Sequence, residues 1–174
     1  MAPDHQRGRC FLFVLALAVP LIPLSESSSI EIGVPPQRLW DALHELSNRA
    51  AWYPEVRGVA VTRSGPGLAK QQVSLALSRG AVLNVTPIES VAPERMVSRV
   101  TGPGIRSILT QELVPIAGGT LYATSDNLRV SIIVALVRAA GGRRFKTRRA
   151  ARMEQIKRDV EAASVGPDRR VTSS

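Results

Sequence analysis

Hydrophobic residues alternate with polar ones along most of the chain after residue 28, at the two-residue spacing of strands that bury one face. Turns rich in glycine, proline and serine interrupt the alternation at short intervals, as in Gly102-Pro103-Gly104. The pattern predicts strands at Ser28–Val34, Val56–Arg63, Ala69–Leu77, Ala81–Val91, Arg95–Thr101, Ile105–Pro115 and Thr120–Asn127. Because short turns join the later strands, these are expected to be antiparallel neighbours in one sheet.

Helical spacing replaces the alternation directly after the first strand. Pro35-Pro36 stops the strand, and proline fits the first turn of a helix. The residues that follow include an apolar stripe at helical spacing, formed by Leu39, Trp40, Leu43 and Leu46. A second short helix is predicted from Asn48 to Tyr53, where Pro54 ends it.

The C-terminal part of the chain is also predicted to be helical. Arg129–Ala140 is apolar almost all round, Gly141-Gly142 predicts a break, and Arg143–Ser164 is amphipathic. An antiparallel sheet must cover one face, and the C-terminal helix is the only long helix left to do so. The fold class is therefore α+β, with two short helices after strand 1 and a long C-terminal helix against a seven-stranded curved antiparallel sheet.

The N-terminal segment, residues 1–27, does not fit this domain pattern. Arg7 and Arg9 precede the apolar run CFLFVLALAVPLIPL, which is shorter than the roughly 20 apolar residues that span a bilayer. Three interpretations stay open: a signal peptide or short anchor, a wrongly chosen start, or an extra element packed on the domain. The predicted organisation is this segment, a domain at residues 28–164, and a flexible tail at residues 165–174. If residues 1–27 are a signal, the protein is exported or membrane-anchored; otherwise it is cytoplasmic.

The amino-acid composition limits the kinds of binding site that the chain can form. Aromatic residues make up only 4% of the chain, so any cavity is expected to have mainly aliphatic walls. The single cysteine, Cys10, cannot form an internal disulfide, and no cluster of cysteine and histidine suggests a metal site. Nucleotide-binding glycine motifs and the common hydrolase motifs are also missing, so neither a cofactor nor a metal is predicted.

The net charge of +9 is concentrated in the C-terminal helix. The window from residue 138 to residue 158 holds nine basic residues against one acidic residue. These are Arg138, Arg143, Arg144, Lys146, Arg148, Arg149, Arg152, Lys157 and Arg158. A solvated outer face is the favoured interpretation. An anionic membrane surface contacted by Arg143, Arg144, Lys146, Arg148 and Arg149 is the second, and nucleic acid is unlikely because only Phe145 interleaves with the charges.

Four stretches resemble one family when taken in order. They are IEIGVPPQRLWDAL, AAWYPEV with its W-x-P, IESVAPERMVSRV with its Pro-Glu-Arg turn, and MEQIKRDVEAA in the closing helix. Together they resemble the START-like, or SRPBCC, superfamily, which includes polyketide cyclase/dehydrase-like proteins. The resemblance implies a helix-grip fold, with the sheet curled around the last helix and an apolar cavity between them. It also implies binding or transport of a lipid, polyketide or quinone.

Strand parity indicates which residues face that cavity. The predicted ligand-binding residues are Trp52, which is expected near the cavity mouth, and, chosen by parity, Leu75, Leu77, Leu83, Val85, Met96, Val100, Leu109 and Leu113. A packed core with no void is the alternative for all of them, and for Trp52 core packing is favoured.

Catalysis has weaker support in the sequence. No residue matches the pocket of aromatase/cyclases, so no catalytic role is assigned, and a binding protein is favoured over an enzyme. A polyketide cyclase/aromatase and a membrane-surface protein that uses the basic helix remain alternatives. Among the charged strand residues Glu31, Arg99, Glu112 and Asp126, one facing inward could orient a polar group of a ligand.

Overall fold

Seven antiparallel strands form one curved sheet in the computed structural model, which describes residues 21–45, 48, 51–63, 71–78 and 80–165. The strands are β1 (Leu21–Ile32), β2 (Val56–Arg63), β3 (Gln72–Leu77), β4 (Val82–Val91), β5 (Arg95–Gly102), β6 (Ile105–Ile116) and β7 (Gly119–Ser131). Their order across the sheet is β1-β7-β6-β5-β4-β3-β2. The first strand in sequence therefore pairs with the last one, and the rest form a meander.

Three helices complete the described fold: α1 (Pro36–His44), α2 (Ile132–Ala140) and α3 (Gly142–Val165). Pro36 lies in the first turn of α1, where its missing N–H costs no hydrogen bond. Of the predicted second helix, Asn48, Ala51 and Trp52 are helical, Tyr53 is not, and residues 49–50 lie outside the described residues. The α+β class and the helix-grip arrangement are confirmed.

Strand β1 begins at Leu21 rather than at Ser28. Residues 21–27, which the sequence pattern placed in the signal-like segment, pair in register with β7 from Leu21 opposite Ser131 onward. The strand was missed because its central inward-facing residues are polar. The apolar run before residue 21 and the tail after residue 165 lie outside the described residues.

The end of β7 is a second difference from the sequence prediction. Arg129–Ser131 was predicted to belong to the C-terminal helix, but these residues extend β7, with Val130 fully buried between Ile22 of β1 and Ile105 of β6. Pairing on both sides satisfies the backbone of the segment and outweighs its helix-like apolar pattern. The predicted break before the long helix is confirmed at Gly141, where α2 ends.

The main hydrophobic core lies where α1 and the C-terminal half of α3 meet the centre of the sheet. Its buried members are Ile32, Val34, Leu39, Trp40, Leu43, Trp52, Met96, Leu113, Tyr122, Met153, Ile156 and Val160. Glu161 of α3 accepts a 2.7 Å hydrogen bond from the backbone N–H of Gly33, which ties the end of α3 to the loop before α1. This end of the molecule is closely packed.

Candidate functional site

The concave face of the sheet, which is turned toward α3, carries the candidate site. Leu75 lies opposite Leu83, and Val85 lies opposite Val100. Leu109 lies opposite Ser98 on one side and Asp126 on the other. Met96 and Leu113, at the same strand parity, pack with Met153 and Ile156 of α3. All eight strand residues predicted to bind ligand therefore share this one face.

A separate aliphatic cluster covers the part of this face formed by β2, β3 and β4. It is built from Val56, Val73, Leu75 and Val85, with Val59, Leu77, Leu83 and Val100 packed against them. We call these residues the aliphatic half of the concave face. Tyr53 packs against both this half and the main core. Five of the nine predicted ligand-binding residues lie in the aliphatic half: Leu75, Leu77, Leu83, Val85 and Val100.

The other four predicted residues have different surroundings. Trp52, Met96 and Leu113 belong to the main core. The indole N–H of Trp52 donates a 2.8 Å hydrogen bond to Asp159 of α3, so its one polar atom is already satisfied. Leu109 belongs to neither cluster and is only partly buried. It lies between the aliphatic half and a group of inward-facing polar residues.

Those polar residues come from β1, β6, β7 and α3, and we call them the polar half of the concave face. Its members are Glu26, Ser28, Ser107, Thr124, Asp126 and Arg149. Glu26, Asp126 and Leu109 lie side by side across three neighbouring strands. The two halves therefore meet at Leu109.

Asp126 lies beside Leu109, at the boundary between the two halves. Burial is the largest influence on the Asp126 carboxyl group and raises its pKa above the ordinary value of 3.8. A hydrogen bond from Ser107 and the positive charges of Arg149 and Arg138 lower this pKa, whereas the charge of Glu26 raises it. One carboxylate oxygen, Oδ1, is buried without a hydrogen-bond partner among the described residues. This oxygen can accept a hydrogen bond from a group that enters the site.

Arg149 holds the polar half together. Its Nε donates to the Ser28 hydroxyl at 2.8 Å, and its two terminal nitrogens donate to Glu26 at 3.1 Å and to the Thr124 hydroxyl at 2.8 Å. Arg138 of α2 pairs with the same Glu26 carboxylate. The planar guanidinium group thus joins α3 to both β1 and β7 in one fixed geometry.

Glu26, Ser28 and Arg149 were not predicted to face inward. For Glu26 and Ser28, the strand alternation of β1 indicates the inward direction. The less exposed positions of this strand, which alternate with more exposed ones, are Ile22, Leu24, Glu26, Ser28, Ile30 and Ile32. The pattern was hidden because its central pair is polar. Arg149 was grouped with the outward-facing basic residues, but its side chain points at the sheet, so it does not belong to a membrane-facing cluster.

The four charged strand residues considered in the sequence lie on two different faces of the sheet. Glu31, Arg99 and Glu112 are exposed on the convex face, whereas Asp126 faces inward. Among the described residues, no group of histidine, cysteine or acidic side chains is arranged to hold a metal ion.

An open cleft of about 420 Å³ lies between β1 and α3. Its walls include Glu26, Ser28 and Ile30 from β1, and Phe145, Arg149 and Met153 from α3. None of the nine predicted ligand-binding residues lines it. The cleft reaches the polar half from the β1 edge, on the side away from the aliphatic half.

Comparison with known proteins supports the fold. Residues 24–161 match the model of the family described as polyketide cyclase / dehydrase and lipid transport. No curated protein is significantly similar in sequence to this chain.

Solved structures share the architecture at low sequence identity. A START superfamily protein from Mycobacterium smegmatis is 14% identical with a TM-score of 0.63, over 78% of this chain and 98% of that one. A Thermus thermophilus protein is 18% identical with a TM-score of 0.63, over 81% of this chain and 99% of that one. The Zhui aromatase/cyclase from a Streptomyces species is 14% identical with a TM-score of 0.62, over 82% of this chain and 98% of that one.

Proposed function

This chain belongs to the polyketide cyclase / dehydrase and lipid transport family, and we propose that it binds a largely hydrophobic small molecule carrying one polar group. The proposed site lies between the concave face of the sheet and α3. The hydrophobic body of the ligand would contact the aliphatic half, and its polar group would reach Asp126.

One observation carries this proposal. Leu77, Leu83, Val100 and Leu109 face α3 yet remain only partly buried, unlike Met96 and Leu113 in the main core. Aliphatic side chains left partly uncovered on a concave face favour association with an apolar partner. Next to them, the unpartnered Oδ1 of Asp126 favours a ligand with a hydroxyl or N–H donor.

Ligand binding is tested first by native mass spectrometry of the full chain as purified. The melting temperature is then measured with and without four probes: a fatty acid, a sterol, a short-chain ubiquinone and a hydroxyanthraquinone. We expect a co-purified molecule or a raised melting temperature with at least one probe. Leu109→Trp, which would fill the proposed site, should abolish that shift.

Val114→Trp is the matched control because Val114 is an aliphatic residue on the opposite face of β6. It should leave the shift intact. Equal shifts in both variants, or no bound species with any probe, would contradict the proposed site.

A second candidate function is catalysis of the cyclase kind, favoured by Asp126 alone. A carboxyl group whose pKa is raised by burial is a better proton donor at a given pH, and it can deliver its proton to a carbonyl oxygen. The similar fold of a solved aromatase/cyclase supports a test of this function. A synthetic poly-β-ketone thioester is a suitable probe, because cyclisation with loss of water changes its absorbance.

Asp126→Asn separates the two functions. If the protein is an enzyme, this variant should lose product formation while it still binds the thioester. If the wild type binds the probes but forms no product, the protein is a carrier and Asp126 only orients the ligand.

A further inference from the structure

Helix α2 exposes a hydrophobic face to solvent. Ile132, Ile133, Leu136 and Val137 are 50%, 71%, 65% and 56% exposed, and none of the residues of α2 is buried. The spacing of these four residues places them on one side of the helix. Such a contiguous apolar surface usually marks an interaction site.

Among the exposed basic residues of α3, Arg143 and Arg144 lie on the same side, and Lys146 and Arg148 flank it. The partly buried positions Ala135, Arg138, Gly141, Phe145 and Arg149 recur every three or four residues across the junction of the two helices. The inward face is therefore continuous through Gly141, and the outward faces of α2 and α3 point the same way.

The arginines of this region divide into two groups. Arg138, Arg149 and Arg152 form ion pairs with Glu26 or Glu55. By contrast, Arg143, Arg144, Lys146 and Arg148 are exposed, and they form no ion pair with an acidic side chain of the described residues. These four cations have no partner of their own within that part of the chain.

The start of β1 lies at the same end of the molecule. Leu21 pairs with Ser131, the residue that precedes α2. The edge of the sheet formed by the start of β1 therefore lies beside the first turn of α2.

We propose that α2 and the start of α3 form a docking surface for an anionic lipid bilayer, in which Ile132, Ile133, Leu136 and Val137 enter the interface. The four exposed cations then lie beside lipid headgroups, as in peripheral amphipathic helices. None of the described helices is long and apolar enough to cross a bilayer, so this contact is with the surface. The proposal goes beyond ligand binding and does not depend on it.

Insertion is tested at one position by tryptophan fluorescence. The Ile133→Trp variant of the full chain is mixed with phosphatidylcholine vesicles, either with or without phosphatidylserine. Both kinds of vesicle contain lipids with brominated acyl chains, which quench tryptophan fluorescence on contact. We expect quenching at position 133 only with phosphatidylserine present. Val114→Trp is the matched control, since Val114 is 48% exposed near the opposite end of the sheet, and its emission should not change. Trp40 and Trp52 are buried and serve as a constant background.

Charge dependence is tested by vesicle co-sedimentation. Arg144→Gln with Arg148→Gln should weaken binding by about fivefold per charge removed, and added salt should weaken the wild type similarly. Arg57→Gln with Arg63→Gln makes the same change of net charge at β2, the opposite edge of the sheet, and should leave binding unchanged.

Three outcomes would overturn the proposal. Quenching at position 114 as strong as at position 133 would show non-specific adsorption. Emission from position 133 that is already blue-shifted without vesicles and unquenched with them would show that the protein itself covers α2. Emission that varies with protein concentration alone would show that a second copy of the chain covers it.

Discussion

The aliphatic half and the polar half share one face of one sheet, yet they are held by different forces. In the aliphatic half, Leu75, Val85 and their neighbours gain free energy from buried area, which is non-directional and tolerates small shifts. In the polar half, Arg149 reaches Glu26 and Thr124 at the same time only in one geometry, because hydrogen bonds to its planar guanidinium group are directional. One half can adapt to a ligand, whereas the other fixes where α3 lies.

Truncation in the aliphatic half is expected to have the largest effect on stability. Leu75→Ala should lower the free energy of unfolding by about 3 kcal/mol, because it removes a buried side chain and leaves a cavity. Leu109→Ala should cost about 1 kcal/mol, since Leu109 is partly exposed and outside both clusters. Urea unfolding measures both, and equal losses would show that the two positions are equally packed.

Removal of Arg149, the central arginine of the polar half, is expected to have the next largest effect on stability. Arg149→Ala should cost about 2 kcal/mol, since it leaves Glu26, Ser28 and Thr124 without their shared partner while solvent offsets part of the loss. Arg148→Ala removes an exposed charge from the next position and should change stability by less than about 0.5 kcal/mol. Arg149→Lys should restore little, because an ammonium group cannot make the same three contacts. Full recovery with lysine would show that charge alone matters there.

The smallest expected effect is the pH dependence due to Asp126. Its pKa is raised in the folded state, so the folded protein binds more protons than the unfolded one at pH values between the unfolded and the folded pKa. The contribution of Asp126 to stability therefore falls as pH rises through that window, which begins near the ordinary value of 3.8.

Asp126→Asn removes this titration, so urea unfolding at several pH values should give a flatter stability profile. The wild-type protein should lose stability relative to the variant toward neutral pH. A wild-type protein that instead gains stability over the variant as pH rises would show that the Arg149 and Ser107 contacts outweigh burial.

The sequence predicted the aliphatic half well because its pattern is local. Leu75 and Leu77 alternate with polar neighbours, and short turns set the pairing with β4, so parity alone assigned them to the same face as Leu83 and Val85. The polar half could not be predicted in this way. Glu26 and Ser28 look like surface residues until Arg149, distant in the chain, is placed against them.

The errors in the predicted strand boundaries also arose because contacts with distant segments cannot be read from the local pattern. Arg129 and Val130 were predicted to begin an apolar helix, and only pairing with the neighbouring strands β1 and β6 makes them part of a strand. The inward direction of Asp126 follows from the register of β7, yet neither its burial nor the unpartnered Oδ1 can be read from its own segment. Local pattern determined the elements, and contacts between distant segments determined the site.

The pairing of β1 with β7 also bears on how the molecule is made. Leu21 is synthesised before strands β2 to β6, whereas its partner Ser131 follows them in the chain. Strand β1 must therefore wait without its native partner while the meander from β2 to β6 is made. The serine-rich centre of β1 disfavours association of this unpaired strand with other chains until β7 has been synthesised.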